Sequence, residues 1–93
     1  MNPGKAESFY NLGNAFCVLK KYDDAIHNFQ KAIQYDNYNG PALYNLGNAY
    51  YMKGDLEKSI NSYQLALKLN PDSPECHFNL ATAYNDNGDH KNA

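Results

Sequence analysis

Apolar positions in the middle of the chain recur with helical spacing. Leu43, Leu46, Gly47 and Tyr50 fall at i, i+3, i+4 and i+7, the stripe of an amphipathic helix. Leu56, Ser59, Ile60, Tyr63, Ala66 and Leu67 form a second stripe of the same period. Between them, Lys53-Gly54-Asp55 reads as a break, with Gly ending one helix and Asp capping the next. Gly40-Pro41 opens the first helix, because proline at a first helical position lacks only an N–H that would be unpaired anyway. Asn70-Pro71-Asp72 stops the second, and Ser73-Pro74-Glu75 supplies a cap, a first-turn proline and an early acid for the next.

This two-helix pattern repeats. Tyr10-Asn11-Leu12-Gly13-Asn14-Ala15 recurs as Tyr44-Asn45-Leu46-Gly47-Asn48-Ala49, an offset of 34 residues. A weaker copy, Phe78-Asn79-Leu80-Ala81-Thr82-Ala83, lies another 34 residues on. Ala25-Ile26, Phe29-Gln30 and Ala32 align in the same way with Ser59-Ile60, Tyr63-Gln64 and Ala66. A fixed period of this length is the signature of a repeat architecture.

A helix-turn-helix of this length, with a large residue, Leu-Gly, an aromatic, then Ala, aromatic, Ala and Pro, resembles the tetratricopeptide repeat. Unit 40–73 carries Leu43, Leu46, Gly47, Tyr50, Gly54, Tyr63, Ala66 and Pro71 at signature positions, with Ser59 in place of the usual Ala. Unit 6–39 carries Phe9, Leu12, Gly13, Phe16, Ala25, Phe29 and Ala32. It departs in its turns, at Lys20 where Gly is usual and at Asn37 where Pro is usual. The third unit, 74–93, has His77, Leu80, Ala81, Tyr84 and Gly88 and stops at its twentieth position. The resemblance implies an all-α fold, an α-solenoid of antiparallel helix hairpins with about two and a half repeats in one domain, 1–93.

The signature residues have packing roles. Gly13, Gly47 and Ala81, facing Ala25, Ala32, Ser59 and Ala66, allow close approach of the helices in a unit. Phe16, Tyr50, Tyr84, Phe29 and Tyr63 fill the space between hairpins. Helix 74–87 acts as a lid on the second unit. Asp89–Ala93, about one turn, is too short to cover it, so Leu80 and Tyr84 are expected to be poorly covered and to favour end-to-end stacking into a homo-oligomer.

Charge narrows the partner. The net charge is −2, with 10 acidic residues against 8 Lys and no Arg, which argues against nucleic acid and an anionic membrane surface. No apolar run is long enough to span a bilayer, and Met1-Asn2-Pro3-Gly4-Lys5 has no signal-peptide pattern behind it. Cys17 and Cys76 read as reduced thiols, giving a cytoplasmic or nuclear expectation. Asn (14) and Tyr (9) are abundant, although Asn is a poor helix former.

In the family it resembles, the concave groove is lined by the first helix of each unit. That places Tyr10, Asn11, Asn14, Cys17 and Val18, then Tyr44, Asn45, Asn48, Tyr51 and Met52, then Phe78, Asn79, Thr82, Asn85 and Asp86 in the groove. Asn11, Asn45 and Asn79 share one repeat position, and an amide offers both donor and acceptor. Such a row resembles the asparagine ladder of the repeat region of O-linked N-acetylglucosamine transferase and would bind the backbone of an extended peptide. The alternative for these residues is the Asn common at that position in the family. Tyr10, Tyr44, Tyr51 and Phe78 are the candidate side-chain anchors, with helix–helix packing the alternative for Tyr10 and Tyr44. The chaperone-tail clamp of related cochaperones needs cations where this chain has Tyr10, Glu75 and Asn79, so it is rejected despite a match at Asn14 and Asn45.

No cofactor, metal or catalytic set is expected. His27, His77 and His90 fall at unrelated positions, and Cys76-His77 is too tight a spacing to aim both side chains together. Asn85–His90 superficially resembles a Ca²⁺ loop but lacks the later bidentate Glu and reads as a helix end and turn. The expected function is a non-enzymatic protein-interaction scaffold holding an extended peptide or partner segment. The alternatives are a self-assembly module stacking through its open ends, or a substrate-presenting arm of a larger enzyme such as a glycosyltransferase.

Overall fold

The computed structural model describes residues 3–88. The helices are α1 (Pro3–Val18), α2 (Tyr22–Tyr35), α3 (Gly40–Lys53), α4 (Leu56–Leu69) and α5 (Pro74–Asp86). α1 packs on α2 and α3 on α4 as hairpins. α2 then meets α3 and α4 meets α5, with lighter contacts between α1 and α3 and between α3 and α5. The fold is an all-α helical repeat solenoid, 17 Å across its thinnest dimension. The expected turn at Asp89–Ala93 lies outside the described residues.

The local signals act as the sequence implies. Asp55 caps α4 by accepting from the Lys58 N–H, and Ser73 caps α5 by accepting from Cys76. Asn39 caps α3 in the same way, two residues ahead of Pro41, by accepting from the Ala42 N–H, a role not anticipated from the sequence. Gly54 closes α3 at φ 95°, and the Asp55 N–H reaches back to the Tyr50 carbonyl, the geometry of a left-handed helix stop.

The departure at Lys20 has a structural consequence. Lys20 sits at φ 60°, the left-handed region that Gly54 and Gly88 occupy at the corresponding positions. Its turn is bonded as at Gly54, with the Lys21 N–H on the Phe16 carbonyl. A side chain in this region costs about 1–2 kcal/mol, partly offset by the freer unfolded state of a glycine. Lys20→Gly is therefore expected to stabilise the fold by about 1 kcal/mol, raising Tm by roughly 4–8 °C in a thermal melt.

Two apolar clusters tie successive hairpins together. Ala25, Ile26 and Phe29 of α2 pack with Leu46, Ala49 and Tyr50 of α3. Leu43 of α3 joins Ile60, Tyr63 and Ala66 of α4 and Cys76 and Ala83 of α5. Phe29 and Tyr63, both fully buried, fill the notches left by two glycines. A Cβ on Gly13 would lie 2.5 Å from the Phe29 ring, and one on Gly47 would lie 2.7 Å from the Tyr63 ring. Close approach within a hairpin thus requires glycine here. Ser59, in place of the usual Ala, satisfies its buried hydroxyl by donating to the Gly47 carbonyl at 2.8 Å. Leu80 and Tyr84 are half-buried against the second cluster.

Candidate partner-binding groove

The candidate residues all lie on the first helices α1, α3 and α5. Their polar groups are arranged in an order set by the repeat. The Asn45 amide donates to the Tyr10 hydroxyl at 3.1 Å and to Asn14 Oδ1 at 3.0 Å. One repeat on, the Asn79 amide donates to the Tyr44 hydroxyl at 2.8 Å and to Asn48 Oδ1 at 3.1 Å. Each asparagine thus binds the hydroxyl and amide that lie one helical turn apart on the preceding first helix. Asn48 also accepts from the Tyr63 hydroxyl and donates to Asn45 Oδ1 at 3.4 Å.

This differs from a ladder open to a ligand along its whole length. Both N–H groups of Asn45 and of Asn79 are engaged between repeats, so what these residues offer outward is carbonyl lone pairs. Asn11, at the same repeat position, is exposed. Tyr10 and Tyr44 are likewise turned inward. Their rings tilt onto Phe29 and Tyr63, with centroids 6.1 Å and 5.9 Å apart, while their hydroxyls accept from the asparagines.

A second repeating bond was not anticipated. Gln30 donates to the Tyr50 hydroxyl at 3.0 Å and Gln64 to the Tyr84 hydroxyl at 2.5 Å. Both pairs span 20 residues and are related by one repeat. Polar inter-repeat bonds thus give Tyr10, Tyr44, Tyr50 and Tyr84 a role beyond packing.

Between α3 and α5 the face opens into a pocket of about 260 Å³. Asn48, Tyr51 and Met52 form one side, Asn79 and Thr82 the other, with Tyr63 below. Met52 is 58% exposed, and Phe78, one turn from Thr82 on α5, is 71% exposed. The Thr82 hydroxyl donates to the Phe78 carbonyl. At the rim the Tyr51 hydroxyl donates to the Asp86 carboxylate, and that bond, followed by desolvation, raises the phenol above its usual range. Burial, ahead of any other cause, pushes the Tyr63 phenol up to about 12. Cys76 is buried and its thiol approaches the Tyr63 carbonyl at 3.5 Å, whereas the adjacent His77 is exposed with Nε2 2.7 Å from the Pro71 carbonyl. Burial raises the Cys17 and Cys76 thiols above their ordinary value.

A family model described as the TPR repeat matches residues 13–54 and 47–88, most of the chain. The chain belongs to the tetratricopeptide-repeat family. Solved structures agree with this TPR assignment. MamA superposes with TM-score 0.89 at 28% identity, over 94% of this chain and 51% of that one. The Sgt2 TPR domain from Aspergillus fumigatus superposes with TM-score 0.87 at 28% identity, over 92% of this chain and 57% of that one. The second TPR domain of human RPAP3, solved in complex with the HSP70 peptide SGPTIEEVD, shares the fold with TM-score 0.82 at 23% identity, over 85% of this chain and 66% of that one. This TPR chain therefore spans about half the length of the MamA chain and somewhat more of the Sgt2 TPR-domain chain. A search of curated protein sequences finds no match.

Proposed function

We propose that this chain is a protein-interaction scaffold whose α1/α3/α5 face is a concave groove for an extended peptide or partner segment. The observation that carries this reading is the pocket between α3 and α5, with the exposed apolar side chains of Met52 and Phe78 on either helix. At about 260 Å³ it is smaller than most small-molecule sites and suits one anchoring side chain. Tyr51 and Thr82 line it, and Asn79 Oδ1 beside it is a carbonyl acceptor for a peptide N–H. Asn14 and Asn48 support the groove through Asn45 and Asn79, and Asn11 extends it. That a TPR domain of the same fold holds a peptide supports the reading.

The test uses groove residues that the fold does not need. Met52→Asp and Phe78→Ala are expected to weaken capture of a display-selected nine-residue peptide at least ten-fold, as aromatic and apolar anchors do, with Tm unchanged. Full binding by both variants would sink the groove reading.

One observation favours self-assembly as a second reading. Leu12 is 47% exposed where the equivalent Leu46 is 6% exposed, and Ala15 is exposed where Ala49 is buried. The outer face of α1 is thus a repeat interface without a cover. Self-association through it predicts a molar mass that rises with concentration in light scattering and falls back in Leu12→Glu. A constant monomer mass removes this reading.

A further inference from the structure

The charge around the pocket indicates what the groove selects. The charged residues among the groove positions of α1, α3 and α5 are both acidic: Glu75 in the first turn of α5, and Asp86 at its end beside the pocket. The Asp86 carboxylate is exposed at the rim, fixed there by the hydroxyl of Tyr51, which itself lines the pocket. That bond uses one oxygen and leaves acceptor capacity on the carboxylate. The cation nearest in sequence to the pocket, Lys53 at the end of α3, is paired instead with Asp23 at the start of α2, at 2.6 Å. At the pocket floor the Tyr63 hydroxyl donates to Asn48 Oδ1 and both Asn79 N–H groups are engaged, so neither side chain has a donor left for a ligand.

We infer that the groove recognises a segment in which an apolar side chain is followed within one or two positions by Lys or Arg. The apolar side chain enters the pocket between Met52 and Thr82, and the cation meets Asp86. The inference rests on the groove reading above and adds a charge selection to it. An extended strand rises about 3.3 Å per residue, so a neighbouring side chain reaches from the pocket to its rim. Charge complementarity of this kind sets partner choice more than raw affinity. It also separates this groove from one that takes an acidic chain end, since a carboxylate there would face Asp86 with no cation among the described groove residues.

The test is selection of a random nine-residue display library on the wild-type chain and on Asp86→Lys, with Asp86→Asn as a neutral control and melts confirming that all three fold. The expected result is enrichment of an apolar residue with Lys or Arg one or two positions away on wild type, loss of the basic preference on Asp86→Asn, and a switch to Asp or Glu on Asp86→Lys. Salt should weaken the wild-type preference. Enrichment that is the same on all three overturns the charge selection and leaves the groove standing, provided the selected peptides still lose binding to Phe78→Ala. Peptides that bind Phe78→Ala and Met52→Asp as well as wild type overturn both readings.

Discussion

Replacing Tyr63 by alanine is expected to remove about 3–5 kcal/mol of stability, the cost of emptying a large buried aromatic site. Small domains have about 5–15 kcal/mol in total, so this variant should be largely unfolded well below the wild-type melting point. The reason is position. The Tyr63 ring fills the Gly47 notch within its own hairpin and sits in the cluster that joins α3, α4 and α5. Its hydroxyl also anchors Asn48, which in turn accepts from Asn79. Tyr63→Phe keeps the ring and loses only the hydroxyl, which should cost about 0.5–1.5 kcal/mol. The pair also carries a pH signature. The folded phenol titrates at about 12 and the unfolded one at 10.0, so the tyrosine's contribution is intact below pH 10 and is lost as pH rises from there toward 12. Denaturant melts at pH 8, 10 and 11.5 should show that alkaline loss in wild type and a smaller one in Tyr63→Phe. An identical alkaline profile in the two proteins would contradict the buried environment assigned to Tyr63.

The three asparagines of the shared repeat position should separate sharply. Asn45→Ala removes two bonds to the preceding repeat and is expected to cost about 1–2 kcal/mol, at a typical net value of 0.5–1.5 each with some rehydration of the half-buried Tyr10 hydroxyl. Asn79→Ala should behave alike, because its bonds to Tyr44 and Asn48 are the same bonds one repeat later. Asn11→Ala should stay within about 0.5 kcal/mol of wild type, as an exposed substitution with better helix propensity. A double-mutant cycle of Tyr10→Phe with Asn45→Ala isolates the bond, with an expected coupling of about 0.5–1 kcal/mol. Equal effects at Asn11 and Asn45 would show that the amides do not join the repeats. The same values explain why Asn45 and Asn79 are poor choices for testing binding: their loss perturbs the scaffold, whereas Met52 and Phe78 are exposed and free of such duties.

How much of this was legible in the sequence differs between fold and site. The hairpins were readable because their constraints are local and steric. Gly13 and Gly47 mark where a ring must enter, Phe29 and Tyr63 are the rings, and Asp55 and Ser73 announce helix starts at fixed offsets. Lys20 was recognised as a departure from the repeat pattern, yet only the backbone shows that it keeps the left-handed turn. The groove was legible as a set of positions and not as a set of available atoms. Whether Asn45 faces a ligand or Tyr10 is decided by the reach of a side chain to groups 35 and 31 residues away, which no periodicity along one helix encodes. The clue lay in the recurrence of Tyr10 and Asn14 as Tyr44 and Asn48, and of Asn45 as Asn79, all at an offset of 34 residues, which allows the bond to repeat. The third copy, with Phe78 and Thr82, ends it, and its exposed ring is what the groove presents instead.

The most direct test of the groove is an NMR titration of the ¹⁵N-labelled chain with a display-selected nine-residue peptide. Backbone shifts are expected to concentrate on α3 and α5 around Met52, Phe78 and Thr82, with the Asn48 and Asn79 side-chain amides moving with them. Shifts confined to the outer face of α1, around Leu12 and Ala15, or to α2 and α4, would contradict the groove reading.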